Sequence, residues 1–200
     1  MDKITYEIIR SSLYAIAREM KIAMMRTAAS PIIHAAGDAS AAIFDAKMQL
    51  VAQGNDIPTM LGSAVMSTKA SVEAVGLERL RPGDVIISND VYLGGGNHQP
   101  DIQLTRPVFY EGEIIAFTMT RGHWSDIGGQ APGSYTTKTW DIFGEGVRIP
   151  PVLIFRDDEP VSDVVTLIVQ NTRDPASRLL DIKAQYAGTF VGDQRIKALA

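Results

Sequence analysis

The chain reads as an α+β protein, on three observations: an amphipathic helical repeat at the amino terminus, a two-stranded hairpin across residues 102–121, and a helical run closing the sequence. From Ile4 to about Met25, residues Ile9, Leu13, Ile16, Met20 and Met24 recur every three or four positions, while Glu7, Arg10, Arg18 and Lys21 take the other face. That spacing predicts a helix burying one stripe. "FDAKMQLV", residues 44–51, reads as two strands joined by a tight Asp45-Ala46-Lys47-Met48 turn. Residues 62–75 form a second candidate helix ending at Gly76, and Pro82-Gly83 turns the chain into a strand over 84–88. The hairpin signal comes next, with strands at 102–109 and 113–121 around Tyr110-Glu111-Gly112. Residues 127–152, rich in Gly and Pro, read as a loop, and a loop so long inside a domain is usually functional. Asp174-Pro175 supplies an N-cap and first helical residue for a long carboxy-terminal helix carried through Leu180, Ala184, Ala187 and Val191. No repeat, linker or low-complexity tract divides residues 1–200, so a single domain is expected. Ala200 ends that helix without a cap, and we expect a longer parent chain.

Composition narrows the function classes. With 46% hydrophobic and 21% charged residues in 200, disorder is excluded. A net charge of −4 without a Lys/Arg cluster argues against nucleic acid or anionic lipid as partner. Cysteine is absent, which removes disulfides and thiolate metal sites. No stretch reaches the roughly 18 apolar residues of a membrane span, and the amino terminus lacks a basic and then apolar leader, so a cytoplasmic protein is expected.

The stretch "NDVYLGGGNHQPDIQL", residues 89–104, sets three glycines beside a histidine, with an aspartate three residues on. A hairpin turning near Glu111 and Gly112 places Ile102 opposite Arg121 and Asp101 opposite Gly122, so that His98, Asp101 and His123 gather at its open end. Opposed strand residues have Cβ atoms about 4.5–5.5 Å apart, from which two imidazoles and a carboxylate reach one ion. Imidazole nitrogen with carboxylate oxygen suits Zn²⁺, Mn²⁺ or Fe²⁺. The glycines let the backbone fold tightly beside an ion or substrate. Asp90 and Asp126 read either as acceptors that orient the histidines or as caps of their Gly-rich loops. Arg121 and Arg148 are candidates for pairing with a carboxylate or phosphate, against the ordinary alternative of a surface ion pair. Asp126 is also a general-base candidate. His34, in "SPIIHAAGD", reads as structural or substrate-facing.

"FDAKMQLVAQG", "SNDVYLGGGNHQPDI", "TRGHWSDIGGQAPGS", "EGVRIPPV" and "NTRDPASRLLDIKAQYAG", in that order, resemble the amino-terminal part of the hydantoinase B family. It includes subunits of ATP-dependent hydantoinases, 5-oxoprolinase and caprolactamase, and of acetone and acetophenone carboxylases. The resemblance implies a four-residue metal site, adding Asp38 of "GDASAAIFD" to His98, Asp101 and His123; the residues alone suggested only a turn at Asp38. One departure stands out: a His-Ile-Pro-Val-His-like segment of many relatives is replaced by Asn55-Asp56-Ile57-Pro58-Thr59-Met60, which puts any substrate or proton role of those histidines in doubt here.

What the resemblance implies is the metal-bearing subunit of an ATP-dependent cyclic amidase, opening a hydantoin, oxoproline or lactam ring. In that reading a hydantoinase A-like partner subunit, in a hetero-oligomer, uses ATP and Mg²⁺ to phosphorylate the substrate oxygen. The chain itself has neither a P-loop nor a Gly-x-Gly-x-x-Gly turn, so ATP is expected on the partner. The alternatives are a subunit of a biotin-independent ketone carboxylase, and a non-catalytic metal- or partner-binding fragment.

Overall fold

The computed structural model of the chain describes residues 2–54, 56–94, 96–134 and 136–200, except the side chain of Leu61. A single seven-stranded sheet of order β2-β1-β5-β4-β3-β6-β7 forms its centre, and every paired strand is antiparallel. The strands are β1 (Ala39–Asp45), β2 (Leu50–Gln53), β3 (Val85–Ser88), β4 (Asp101–Tyr110), β5 (Glu113–His123), β6 (Val152–Arg156) and β7 (Glu159–Pro160). Helices α1 (Lys3–Thr27) and α5 (Pro175–Leu199) pack on one face, α3 (Pro58–Val75) on the other; α2 (Pro31–His34) and α4 (Ser162–Gln170) complete the set. This is the expected mixture of helix and antiparallel sheet, with helices first and last in the chain.

Period-two alternation explains the layering. Ala41 and Ile43 of β1 pack with Ile16, Ala17 and Met20 of α1, whereas Ala42 and Phe44 between them pack with Ala64 and Val72 of α3. Because helices cover both faces, β4 and β5 are buried almost along their whole length and read as near-continuous apolar and small-polar runs.

The helices begin where their caps dictate. Asp2 accepts hydrogen bonds from the amides of Ile4 and Thr5, and Asp174 accepts from Ser177 with Pro175 following it. Helix α3 starts at Pro58, four residues before the sequence-based boundary, since proline at the first helical position needs no N–H partner. Among the elements outside the expectation are α2 and β7, and two larger ones. β6 follows Pro150-Pro151 and pairs with β3, and α4 is a short helix burying Val165, Ile168 and Val169.

The hairpin forms with a register one residue from the expected one. Asp101 faces His123, and Ile102 faces Gly122, because the ladder shifts between Val108 and Phe109. A β-bulge near the turn inserts one residue and displaces everything beyond it.

Helix α5 lies close against both β5 and α1. A Cβ on Gly188 would stand 2.8 Å from Thr120 Cγ2 and 2.9 Å from the Met20 carbonyl oxygen. On the same helix, Gln185 donates to the Ile102 carbonyl at 2.7 Å and accepts from Trp124 Nε1 at 2.8 Å, tying the open end of the hairpin to α5.

The long loop after β5 is anchored by one carboxylate. Asp126 accepts from the amides of Gly128 (2.9 Å), Gly133 (2.9 Å) and Arg173 (3.1 Å), and from Arg173 Nη1 (3.0 Å). Partial burial pushes this carboxyl up, but those hydrogen bonds outweigh burial and hold it below the usual aspartate value.

Two outcomes follow from these contacts. Gly188→Val forces α5 away from α1 and β5 and lowers stability by about 1–3 kcal/mol in urea denaturation; an unchanged midpoint would contradict the close approach. Asp126→Asn strands backbone donors and costs about 1–3 kcal/mol at pH 7. The parent's advantage over this variant is fully present above the unfolded aspartate value of about 3.9 and is lost as pH falls through the lower folded value. A gap between the two urea midpoints that persists unchanged below pH 3 would show that the carboxylate charge is not its source.

Candidate metal centre

The one-residue shift brings the expected residues closer than the unbulged register would. Asp101 opens β4 and His123 closes β5, directly opposed, so both side chains leave the same face of the sheet. His98 stands in the preceding turn, which the Asp101 amide closes by donating to the His98 carbonyl at 3.2 Å. The three side chains can present one ligand atom each, all within 4.8 Å of one another. The His98 and His123 ring centroids are 5.0 Å apart, and His98 Nε2 lies 2.9 Å from Asp101 Oδ1. That oxygen is buried, and the His98 imidazole stands against it. The donor set of two imidazoles and a carboxylate, gathered within reach of one point, fits a divalent cation.

Asp38 adjoins this group without being one of its three members. Its carbonyl accepts from the His123 amide at 3.1 Å, and its carboxylate interacts with the charges of His98, Asp101 and His123. Burial raises the Asp38 carboxyl, helped by the like charge of Asp101 and opposed by His123. The Asp101 carboxylate raises the His98 imidazole against the effect of burial, whereas burial lowers His123. A lowered His123 favours the neutral ring, the form that ligates metals.

One layer deeper on the same face, two residues along each strand, Arg121 opposes Gln103. The guanidinium is 1% exposed, and burial lowers its pKa to about 10 while the Asp101 charge raises it. Its Nη1 donates to the Met60 carbonyl (3.1 Å) and to Ser63 Oγ, and its Nη2 to Ser67 Oγ and Gln103 Oε1. The structure thus gives Arg121 internal partners on α3 where the sequence suggested an open substrate contact. Asp126 likewise has its oxygens engaged by the loop and Arg173, the capping alternative for that residue.

Asp90 is also a loop cap. It accepts from the Tyr92 and Leu93 amides at 2.8 and 3.0 Å and pairs with Arg148 Nε at 2.6 Å, so Arg148 carries an internal ion pair. His34 is exposed and lines a separate cavity with Ile22, Met25, Arg26 and Ala28. In the segment that departs from the family, Asp56 joins Lys21 of α1 (2.8 Å) to the Ala41 amide of β1 (2.9 Å). Asn55, and Gly95 of the glycine triplet, lie outside the described residues.

Sequence reasoning missed three supports of the site. Asn97 donates to the Thr59 carbonyl at 2.9 Å, fastening the histidine turn to the first turn of α3. Asn89 donates to the Gln99 and Val147 carbonyls and accepts from the Ile149 amide, stapling two loops together. Behind His123, the buried pair Arg178–Asp181 (3.0 Å) holds Ser30, whose Oγ accepts from the Ser125 amide, while Arg178 Nη1 donates to the Asp126 carbonyl. The signal for that last support was present, as an Arg and an Asp three residues apart on one helix face.

Several known proteins are similar to this chain. The beta chain of caprolactamase from Pseudomonas jessenii is 36% identical over 197 residues, covering 98% of this chain and 33% of that protein. The crystal structure of the ATP-dependent caprolactamase from that organism matches with a TM-score of 0.92, over 100% of this chain and 34% of the matched one. The 5-oxoprolinase of Dictyostelium discoideum is 33% identical over 199 residues, 16% of its length. A nucleotide-free acetone carboxylase structure, 24% identical with a TM-score of 0.91 over 98% of this chain and 26% of its own, shares the fold. The chain therefore spans about a third or less of each of these relatives. Residues 2–200 match the model of the hydantoinase B/oxoprolinase family, and the chain belongs to that family.

Proposed function

We propose that this chain carries the metal centre of an ATP-dependent cyclic amidase, with His98, Asp101 and His123 holding a divalent cation and Asp38 as a further ligand. The observation that carries the reading is the convergence of two imidazoles and a buried carboxylate, which can each present one ligand atom within 4.8 Å of the others. Similarity to caprolactamase and 5-oxoprolinase supplies the reaction class, hydrolysis of a ring amide. Such a cation, Zn²⁺ or Mn²⁺ with Fe²⁺ as the third option, supplies a Lewis acid toward carbonyl or phosphoryl oxygen and lowers the pKa of water toward about 7.

The protein residues have separable tasks in this reading. His123, kept neutral by burial, and Asp101 are fixed to the ends of paired strands and need no reorganisation to ligate. His98 is the movable member, with its side chain 37% exposed on a turn that Asn97 ties to α3. Arg121 acts at one remove, holding α3 over the strand pair that bears the ligands, and Asp126 holds the neighbouring loop.

An amide resists hydrolysis because of its resonance, so phosphorylation of the substrate oxygen on an ATP- and Mg²⁺-binding partner similar to hydantoinase A completes the proposal. The partner relation is supported by the names of the relatives, since the caprolactamase protein and a putative D-/L-hydantoinase protein of a Pseudomonas strain are each one subunit of their enzyme.

His123→Ala is expected to lower the metal content of the purified protein severalfold and abolish turnover, with the circular dichroism spectrum retained. Full metal retention removes His123 from the ligand set. In the natural assembly, ATP with a lactam should yield the ring-opened amino acid with ADP and phosphate. Carboxylation of a ketone with labelled bicarbonate, and no lactam opening, would replace this reading with the carboxylase one. A thermal midpoint indifferent to added Zn²⁺ and Mn²⁺ would favour the non-catalytic alternative.

A further inference from the structure

Beside the metal centre lies a cavity of about 270 Å³ lined by Tyr92, Asn97, His98, Thr139, Asp141 and Glu145, with Trp140 at its rim. Its described lining includes two carboxylates and no lysine or arginine. Asp141 is engaged, accepting from the Phe143 and Gly144 amides at 3.0 and 3.2 Å as the cap of the short turn Ile142–Glu145. Glu145 has neither a hydrogen bond nor an ion pair among the described residues, although its charge reaches His98. Asn97 has its amide nitrogen committed to Thr59, which leaves it an acceptor oxygen toward any occupant. The cavity thus offers acceptors at Glu145 and Asn97 to an occupant that brings a donor.

The placement of Glu145 is built into the fold. The Gln130 amide donates to the Gly144 carbonyl at 2.8 Å, and the Val147 amide to the Ile127 carbonyl at 2.7 Å. Gly129, at φ +81°, lies so near that a Cβ there would stand 2.6 Å from the Gly144 oxygen and 2.7 Å from the Glu145 carbonyl carbon. The loop that Asp126 and Arg173 anchor is thus the seat on which the Glu145 turn rests.

We infer that Glu145 accepts the hydrogen bond of a ring N–H, making the cavity a recognition site for a neutral cyclic amide that still carries its N–H. The inference rests on the cyclic-amide reading above and deepens it. A ketone ring of the same size offers no such donor, and an N-alkylated ring has lost it. Removing the acceptor leaves a charge-assisted hydrogen bond unmade, a loss of about tenfold or more in affinity.

The test uses the natural assembly containing this chain, titrated with 2-pyrrolidinone, N-methyl-2-pyrrolidinone and cyclopentanone. Binding is followed by calorimetry and by the fluorescence of Trp140, which is 98% exposed where Trp124 is fully buried. Trp140→Phe identifies the part of the optical signal that arises at the cavity rim. The parent should bind 2-pyrrolidinone at least about tenfold more tightly than its N-methyl derivative. Glu145→Leu should erase that preference and Glu145→Gln, which keeps a neutral acceptor, should reduce it, both with unchanged metal content. Equal binding of the two lactams by the parent, or a preference that survives Glu145→Leu, overturns the inference and leaves the amidase reading standing. Binding of cyclopentanone with neither lactam bound overturns both.

Discussion

The pairing of Asp101 with His123 across the β4–β5 ladder is the constraint on which the site depends. Strand side chains alternate, so a slip of one residue would move a ligand to the opposite face. The bulge between Val108 and Phe109 sets that pairing from the far end of the hairpin. Once the register holds, the α3-facing side of the strand pair carries a layered column. The Asp101–His123 pair comes first, then Gln103 with Arg121, then Thr105 with Met119. The column passes from acidic and imidazole groups through a buried polar network into the apolar core beneath α3.

Around this rigid pair, irregular segments are held chiefly by side chains bonded to backbone. Asp90, Asp126, Asp141 and Asn89 each satisfy amides or carbonyls that no helix or strand would pair. Buried backbone groups need such partners, so the polar residues of the Gly-rich stretches are largely spent on holding their own loops. Against that background the Glu145 carboxylate, with neither a hydrogen bond nor an ion pair among the described residues, gains significance.

Much of this was legible in the sequence. The stripe of Ile16, Met20 and Met24, the Asp174-Pro175 start and the hairpin that gathers His98, Asp101 and His123 all follow from spacing and cap chemistry. The register was not, because Ile114 and Ile115 are both apolar and the pattern does not say which of them is the bulged residue. The α4 helix was hidden by its brevity, and β6 by the two prolines before it. For Asp126 and Arg121 the residue type announced chemistry, and only the positions of Arg173, Gly133 and Ser67 reveal that the Asp126 oxygens and the terminal nitrogens of Arg121 are engaged internally. Glu145 carried no local signal. Its place beside His98 is produced by a fold-back of the chain across the Gly128-Gly129 step, a contact between segments with no shared periodicity.

That fold-back divides the site into parts of unequal resilience. Asp101 and His123 sit in the central ladder, among the last regions of a protein to open, whereas the Glu145 turn is secured by loop hydrogen bonds. On warming, the Glu145 turn would drift before Asp101 and His123 separate, so the chain would pass through a temperature range in which the paired strands keep their spacing while the cavity beside them has lost its shape.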